Sequence, residues 1–135
     1  MHLGLVAVPI AAVAAWAAGG AWYGLLGKKW TAALGWSPEQ LARLQQQSPL
    51  MPMLFSFLAE VVMALVLYVV MLGPVAPPRP VHGAIDGAVL WLGFIATTTG
   101  VNYAYQRKSL ALLLIDAGHW LIVMLILGGL VGALK

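Results

Sequence analysis

Apolar residues fill four long runs of this chain, at about 4–26, 51–72, 84–105 and 110–134, and polar residues collect in the short stretches between them. At ~1.5 Å of rise per residue, each run is long enough to cross a hydrocarbon core of ~30 Å. The pattern predicts an all-α integral membrane fold, a four-transmembrane-helix bundle built from two helical hairpins, as a single domain over 1–135. The first run holds an A-x-A-like "AWA" at 15–17. It lacks a basic leading region, however, and its apolar core exceeds that of a secretory signal, so it is expected to stay as the first span.

The stretch of sustained polarity is 27–50, "GKKWTAALGWSPEQLARLQQQSPL". Ser37 is a good helix N-cap, Pro38 suits the first helical position, and Gln40 completes an S-x-x-Q capping box. A short helix is therefore expected from Pro38 to about Gln47. With Lys28, Lys29, Trp30, Leu34 and Trp36 beside it, this connector is expected to lie at the headgroup interface. Between the second and third runs, "GPVAPPRPVHG" places four prolines within 11 residues, which predicts a stiff, extended link. "QRKS" at 106–109 predicts a tight turn into the fourth span. "WYGLLGKK" and "NYAYQRK" both set an aromatic before a basic pair, as a parallel repeat would and as any two span ends on one side also would.

Composition sharpens this picture. The 135 residues are 62% hydrophobic and 8% charged, against roughly 25% charged in soluble domains. Four spans leave no room for a soluble catalytic module. The formal charge of +3 comes from seven Lys and Arg residues scattered at span ends, which reads as a topology signal, with no nucleic acid expected as a partner. Lys28, Lys29, Arg43, Arg107 and Lys108 fall on one side, and Arg79 and Lys135 on the other. This asymmetry predicts loops 27–50 and 106–109 in the cytoplasm and both termini outside, in a bacterial inner (plasma) membrane. The absence of cysteine excludes disulfides and thiolate metal sites.

Chemistry could sit only at the polar residues inside the spans, where an ionisable group is a functional hypothesis by default. Glu60 is nine residues into span two and His119 nine into span four, so both lie ~13 Å deep. Asp116 is one turn shallower on the face of His119. Thr98 and Asn102 of span three, Trp22 and Tyr23 of span one, and Ser56 fall in the same half. An unpaired carboxylate in hydrocarbon costs ~2.5–3.5 kcal/mol, so Glu60 and Asp116 should face inward, paired or protonated. The expectation is that Glu60, Asp116 and His119 converge with Thr98 and Asn102 in one buried network. Three readings stay open: polar groups that tie the bundle together, a pocket that relays protons or holds a small ligand, and a metal site, for which D-x-x-H plus one distant Glu falls short of a motif. No metal or other cofactor is expected. His82 and Asp86 are expected to be solvated cap residues, and His2 a frayed end.

No G-x-S-x-G, H-E-x-x-H, phosphate loop or cysteine nucleophile occurs, so no enzymatic activity is expected. Ala11, Ala15 and Gly19 make a small-residue ridge on span one, and Gly128 and Gly132 a G-x-x-x-G on span four, both suited to close helix contact within the chain or with another copy.

The segments "AWYGLLGKKWTAALGWSPEQL" and "ATTTGVNYAYQRKSLALLLIDAGHWLIVMLILGGLVGAL" resemble a bacterial family of small four-span inner-membrane proteins defined only as a domain of unknown function. The resemblance rests on Trp22–Tyr23, on Gly27, Lys28 and Trp30, on Thr98, Asn102 and Tyr103, and on Ile115, Asp116 and Gly118. It implies the four-span topology and brings no activity. The expected role is that of a non-enzymatic membrane protein that self-associates or serves as an accessory subunit of a larger membrane complex. The alternative is a small proton-linked transporter or ligand-binding membrane protein using the buried Glu/Asp/His pocket.

Overall fold

The computed structural model describes residues 4–71 and 78–135. A 3-10 turn, Gly4–Val6, leads into α1 (Ala7–Leu34), followed by α2 (Pro38–Gln46), α3 (Leu50–Val70), α4 (Pro80–Leu90), a π-helical turn (Trp91–Ala96), α5 (Thr97–Tyr105) and α6 (Leu110–Leu134). α4, the π turn and α5 form one continuous rod, so four helices are long and apolar enough to cross a membrane. No strand occurs among the described residues. The four-span reading holds. The end of the second run at Leu72, His2 and residues 73–77 of the proline-rich link lie outside the described residues, and the expected extended link does not hold at 80–83, which are helical.

Two boundaries differ from expectation for local reasons. Span one does not stop near Leu26, because nothing in "GKKWTAAL" breaks a helix. α1 continues to Leu34 and ends where Gly35 adopts φ 65°, a left-handed cap that suits glycine. Lys28, Lys29 and Trp30 are therefore helical. Span three starts at Pro80 rather than Ala84, since a proline at the first helical position forfeits an N–H that would be unbonded anyway. His82 and Asp86 are exposed, as expected, but sit within α4 and are not caps.

The capping box of α2 is present: Ser37 Oγ accepts from Gln40 N–H at 3.3 Å, and Gln40 Oε1 accepts from Ser37 N–H at 2.9 Å. α2 buries no residue. The α5–α6 turn closes as a Schellman motif. Arg107, at φ 52°, donates its N–H to Ala104 O, and Lys108 N–H reaches Tyr103 O. Ser109 then caps α6 and donates its hydroxyl to Ala33 O at 2.9 Å, fastening the turn to the end of α1.

α6 is the central helix, packed on α1, α3 and α4, while α1 also packs on α3. The core is formed by Ala11 and Ala15 of α1, Ala64 and Leu67 of α3, and Val123, Leu127 and Val131 of α6, all fully or almost fully buried. Both small-residue ridges are used inside the chain. Ala11, Ala15 and Gly19 are buried in α1. Gly128 lies against the Gly83 backbone, and Gly132 against Arg79 O and the Gly83 Cα, so α4 and α6 touch backbone to backbone.

Candidate functional site

Two groups of polar residues form around α6. The first is centred on Asp116. Tyr23 Oη donates to its Oδ1 at 2.5 Å, Trp30 Nε1 donates to the same oxygen at 3.1 Å, and Tyr103 Oη donates to Oδ2 at 2.5 Å. Tyr23 and Trp30 are two turns apart on α1, one face of a helix, which the unbroken run of α1 past Leu26 makes possible. The indoles of Trp22 and Trp91 donate to the carbonyls of the residues before and after Asp116, Ile115 at 3.0 Å and Ala117 at 2.8 Å. Lys108 Nζ lies 4.4 Å from the Tyr103 ring centroid, a cation–π contact at the turn. Neutral hydroxyls and an indole thus hold the Asp116 carboxyl group.

The second group lines a cavity of about 680 Å³ between α1, α3 and α6. Its lining follows α3 from Pro49 to Glu60, ~16 Å along the helix axis. Glu60 is 1% exposed and His119 7% exposed, and both line it. Glu60 Oε2 and His119 Nδ1 are buried without a hydrogen-bond partner. The imidazole lies over Gly19, where a Cβ would fall 2.6 Å from Nε2. It packs between the ring of Tyr23, centroids 4.8 Å apart, and the edge of Trp120, 4.7 Å. Trp16 closes the α1–α3 side, donating to Met53 O at 3.1 Å and meeting Phe57 edge to face. Ser56 lines the cavity too, with its hydroxyl donated to Met53 O.

The expected single network is therefore two sites. Glu60, His119, Ser56 and Tyr23 share the cavity, and Asp116 joins it only through Tyr23, whose hydroxyl is on Asp116 and whose ring is on His119. Trp22 serves the α6 backbone. Thr98 and Asn102 do not join either group. Both are exposed, and Thr98 donates its hydroxyl to carbonyls of its own helix, Phe94 O and Ile95 O. The rotation of the third span explains this. Gly83, Gly87, Trp91, Ile95 and Tyr103 face the rest of the bundle at multiples of four residues. An ideal α-helix would drift ~40° per four residues, and the wider π turn at Trp91–Ala96 takes up part of that drift, so Tyr103 turns inward and Asn102 outward. Trp30, Tyr103 and Trp91 are the site residues that sequence reasoning did not assign. Their signal was chemical: a carboxylate at that depth needs donors, and aromatic N–H and O–H groups were available at the right ends of spans one and three. No three His, Asp or Glu residues are grouped to hold a metal ion among the described residues.

These features define a multi-pass α-helical membrane protein in contact with lipid, with α6 as its hub and a polar-based cavity on one flank. The chain matches the family described as "Protein of unknown function (DUF1761)" over residues 6–132, and it belongs to that family. No curated protein and no solved structure matches it.

Proposed function

We propose that this protein binds a small amphipathic molecule in the cavity between α1, α3 and α6, without performing bond-breaking chemistry on it. One observation carries the reading. Glu60 Oε2 and His119 Nδ1 are buried polar atoms without partners, and both residues line the same 680 Å³ space. Buried polar groups are ordinarily bonded, and leaving one unmet costs ~1–3 kcal/mol. Small-molecule sites are mostly apolar pockets of ~300–1,000 Å³ with a few such polar groups. In this reading Glu60 and His119 are also the groups able to carry a proton alongside the ligand.

Gly20 supplies the test. It lines the cavity, and a Cβ built there meets nothing within 4 Å, so Gly20→Phe has room to start toward the cavity without displacing helix backbone and is the variant expected to occupy part of it. A panel of amphipathic fragments is screened by thermal unfolding in mild detergent. Ligands at 100 times their Kd should stabilise the wild type by ~2.7 kcal/mol and leave Gly20→Phe unmoved. If every stabilising fragment acts equally on both proteins, the cavity is not a binding site.

Self-association, or service as a subunit of a larger membrane complex, is the second reading. The third span supports it as the least buried of the four spans, although the two small-residue ridges suited to contact with another copy are occupied within the chain. The native mass in mild detergent decides: a monomer with no co-purifying chain rejects this reading.

A further inference from the structure

Resting on that cavity reading, we propose that the occupant is a hydrophobic organic amine bound as its monocation, its charge set on Glu60 and its apolar body among the rings of Trp16, Tyr23 and Trp120. The chemistry of the lining specifies charge, shape and size together. Glu60 is the acidic residue of the lining, and no lysine or arginine among the described residues contributes to it. A carboxyl group in that setting is neutralised by a proton or by a cation, and the protein supplies no hydrogen-bond partner for Oε2.

The aromatic residues favour the same ligand. Ring faces attract ammonium groups by ~0.5–2 kcal/mol, most strongly where water is excluded. Trp16 and Tyr23 line the cavity from α1, Trp120 from α6 and Glu60 from α3, so three helices contribute to the same space. His119 Nδ1 is a second unpartnered polar atom in the lining residues and can accept from an N–H of an amine when it is the unprotonated ring nitrogen. The aromatic walls suit a compact apolar body. An anion would meet Glu60 with no lysine or arginine of the lining to offset it, and a neutral alcohol would leave the charge question to a proton.

Three compounds with one cage separate these cases: 1-adamantylamine, a cation, 1-adamantanol, neutral, and 1-adamantanecarboxylate, an anion. Binding to the full chain in mild detergent is measured by isothermal titration calorimetry, with Glu60→Gln and Gly20→Phe beside the wild type and folding checked by circular dichroism. The amine should bind the wild type roughly tenfold or more tighter than either analogue. Glu60→Gln should remove that preference, and Gly20→Phe should abolish binding. If Glu60→Gln does not fold, the preference of the wild type for the amine over the alcohol and the carboxylate still decides. Equal binding of amine and alcohol, blocked by Gly20→Phe, overturns the cation assignment and leaves the cavity reading standing. Amine affinity unchanged in Glu60→Gln overturns it too. If none of the three binds the wild type, the amine assignment fails, and the fragment screen alone then judges the cavity.

Discussion

The Asp116 site should reveal itself as charge-assisted through a double-mutant cycle between Tyr103→Phe and Asp116→Asn. Phe keeps the ring that Lys108 covers at 4.4 Å and removes only the hydroxyl that donates to Oδ2 at 2.5 Å. Neutral hydrogen bonds between membrane helices contribute ~0.6 kcal/mol on average and ~1.7 at most. A bond to an ionised group is roughly twice as strong as a neutral one, so Tyr103→Phe should cost ~1.2–1.7 kcal/mol in the wild type. Asn in place of Asp116 keeps the shape and removes the charge. In that background the same change should cost only ~0.6 kcal/mol. The coupling energy is then ~0.6–1.1 kcal/mol, above the ~0.3–0.5 within which independent changes add. Unfolding by SDS in mixed micelles, followed by far-ultraviolet circular dichroism, measures all four proteins. Additive costs would refute a charged Asp116 held by Tyr103.

Three more outcomes follow from the same geometry. Gly83→Ala drives a Cβ into the Gly128 carbonyl, a backbone group that cannot step aside; it should cost ~3 kcal/mol, the upper end of overpacking, and the same unfolding titration shows whether α4 and α6 touch as described. Gly19→Ala sets a Cβ 2.6 Å from His119 Nε2, so it should destabilise the wild type by ~1–2 kcal/mol yet stabilise a His119→Ala background by up to ~1 kcal/mol through helix propensity; a change of the same sign in both backgrounds argues against the contact. Reporter fusions near Gln46 and Lys108 should be cytoplasmic and one near Arg79 external, following the basic residues, and an Arg79 reporter active only in the cytoplasm inverts the proposed topology.

The spans were legible because membrane crossing depends on length and apolar content, both printed in the sequence. That Glu60 and His119 stand at one level of the bundle was legible too, since both line one cavity. Rotation about each helix axis was not. α6 is apolar nearly all round, so no polar stripe marks which side turns inward, and the neighbours of Asp116 and His119 depend on that angle. The third span shows this most clearly, since the π turn at Trp91–Ala96 carries no proline or charge and yet decides that Tyr103, not Asn102, reaches α6. The partner of the G-x-x-x-G was hidden for a related reason. Gly83 and Gly87 begin a helix whose start at Pro80 was masked by the density of prolines before it.

The two membrane carboxyl groups meet the same cost in opposite ways, and the contrast separates structure from function. Three donors at ~1.2 kcal/mol each offset roughly the ~2.5–3.5 kcal/mol of placing Asp116 in hydrocarbon, and those donors come from α1, through Tyr23 and Trp30, and from α5, through Tyr103. Losing Asp116 therefore unties three helices. Glu60 has no such donors: its Oε2 is buried without a partner and the residue lines the cavity, so an amide of the same shape in its place takes no hydrogen bond from the helix contacts. Variants at Asp116 should consequently lower the amount of folded protein, whereas Glu60→Gln should fold at least as well as the wild type and fail at whatever the cavity holds. Tyr23 is the one side chain common to both, with its hydroxyl in the structural cluster and its ring on His119. Tyr23→Phe keeps that ring and removes only the bond to Asp116, so it should weaken the fold while leaving the cavity wall in place.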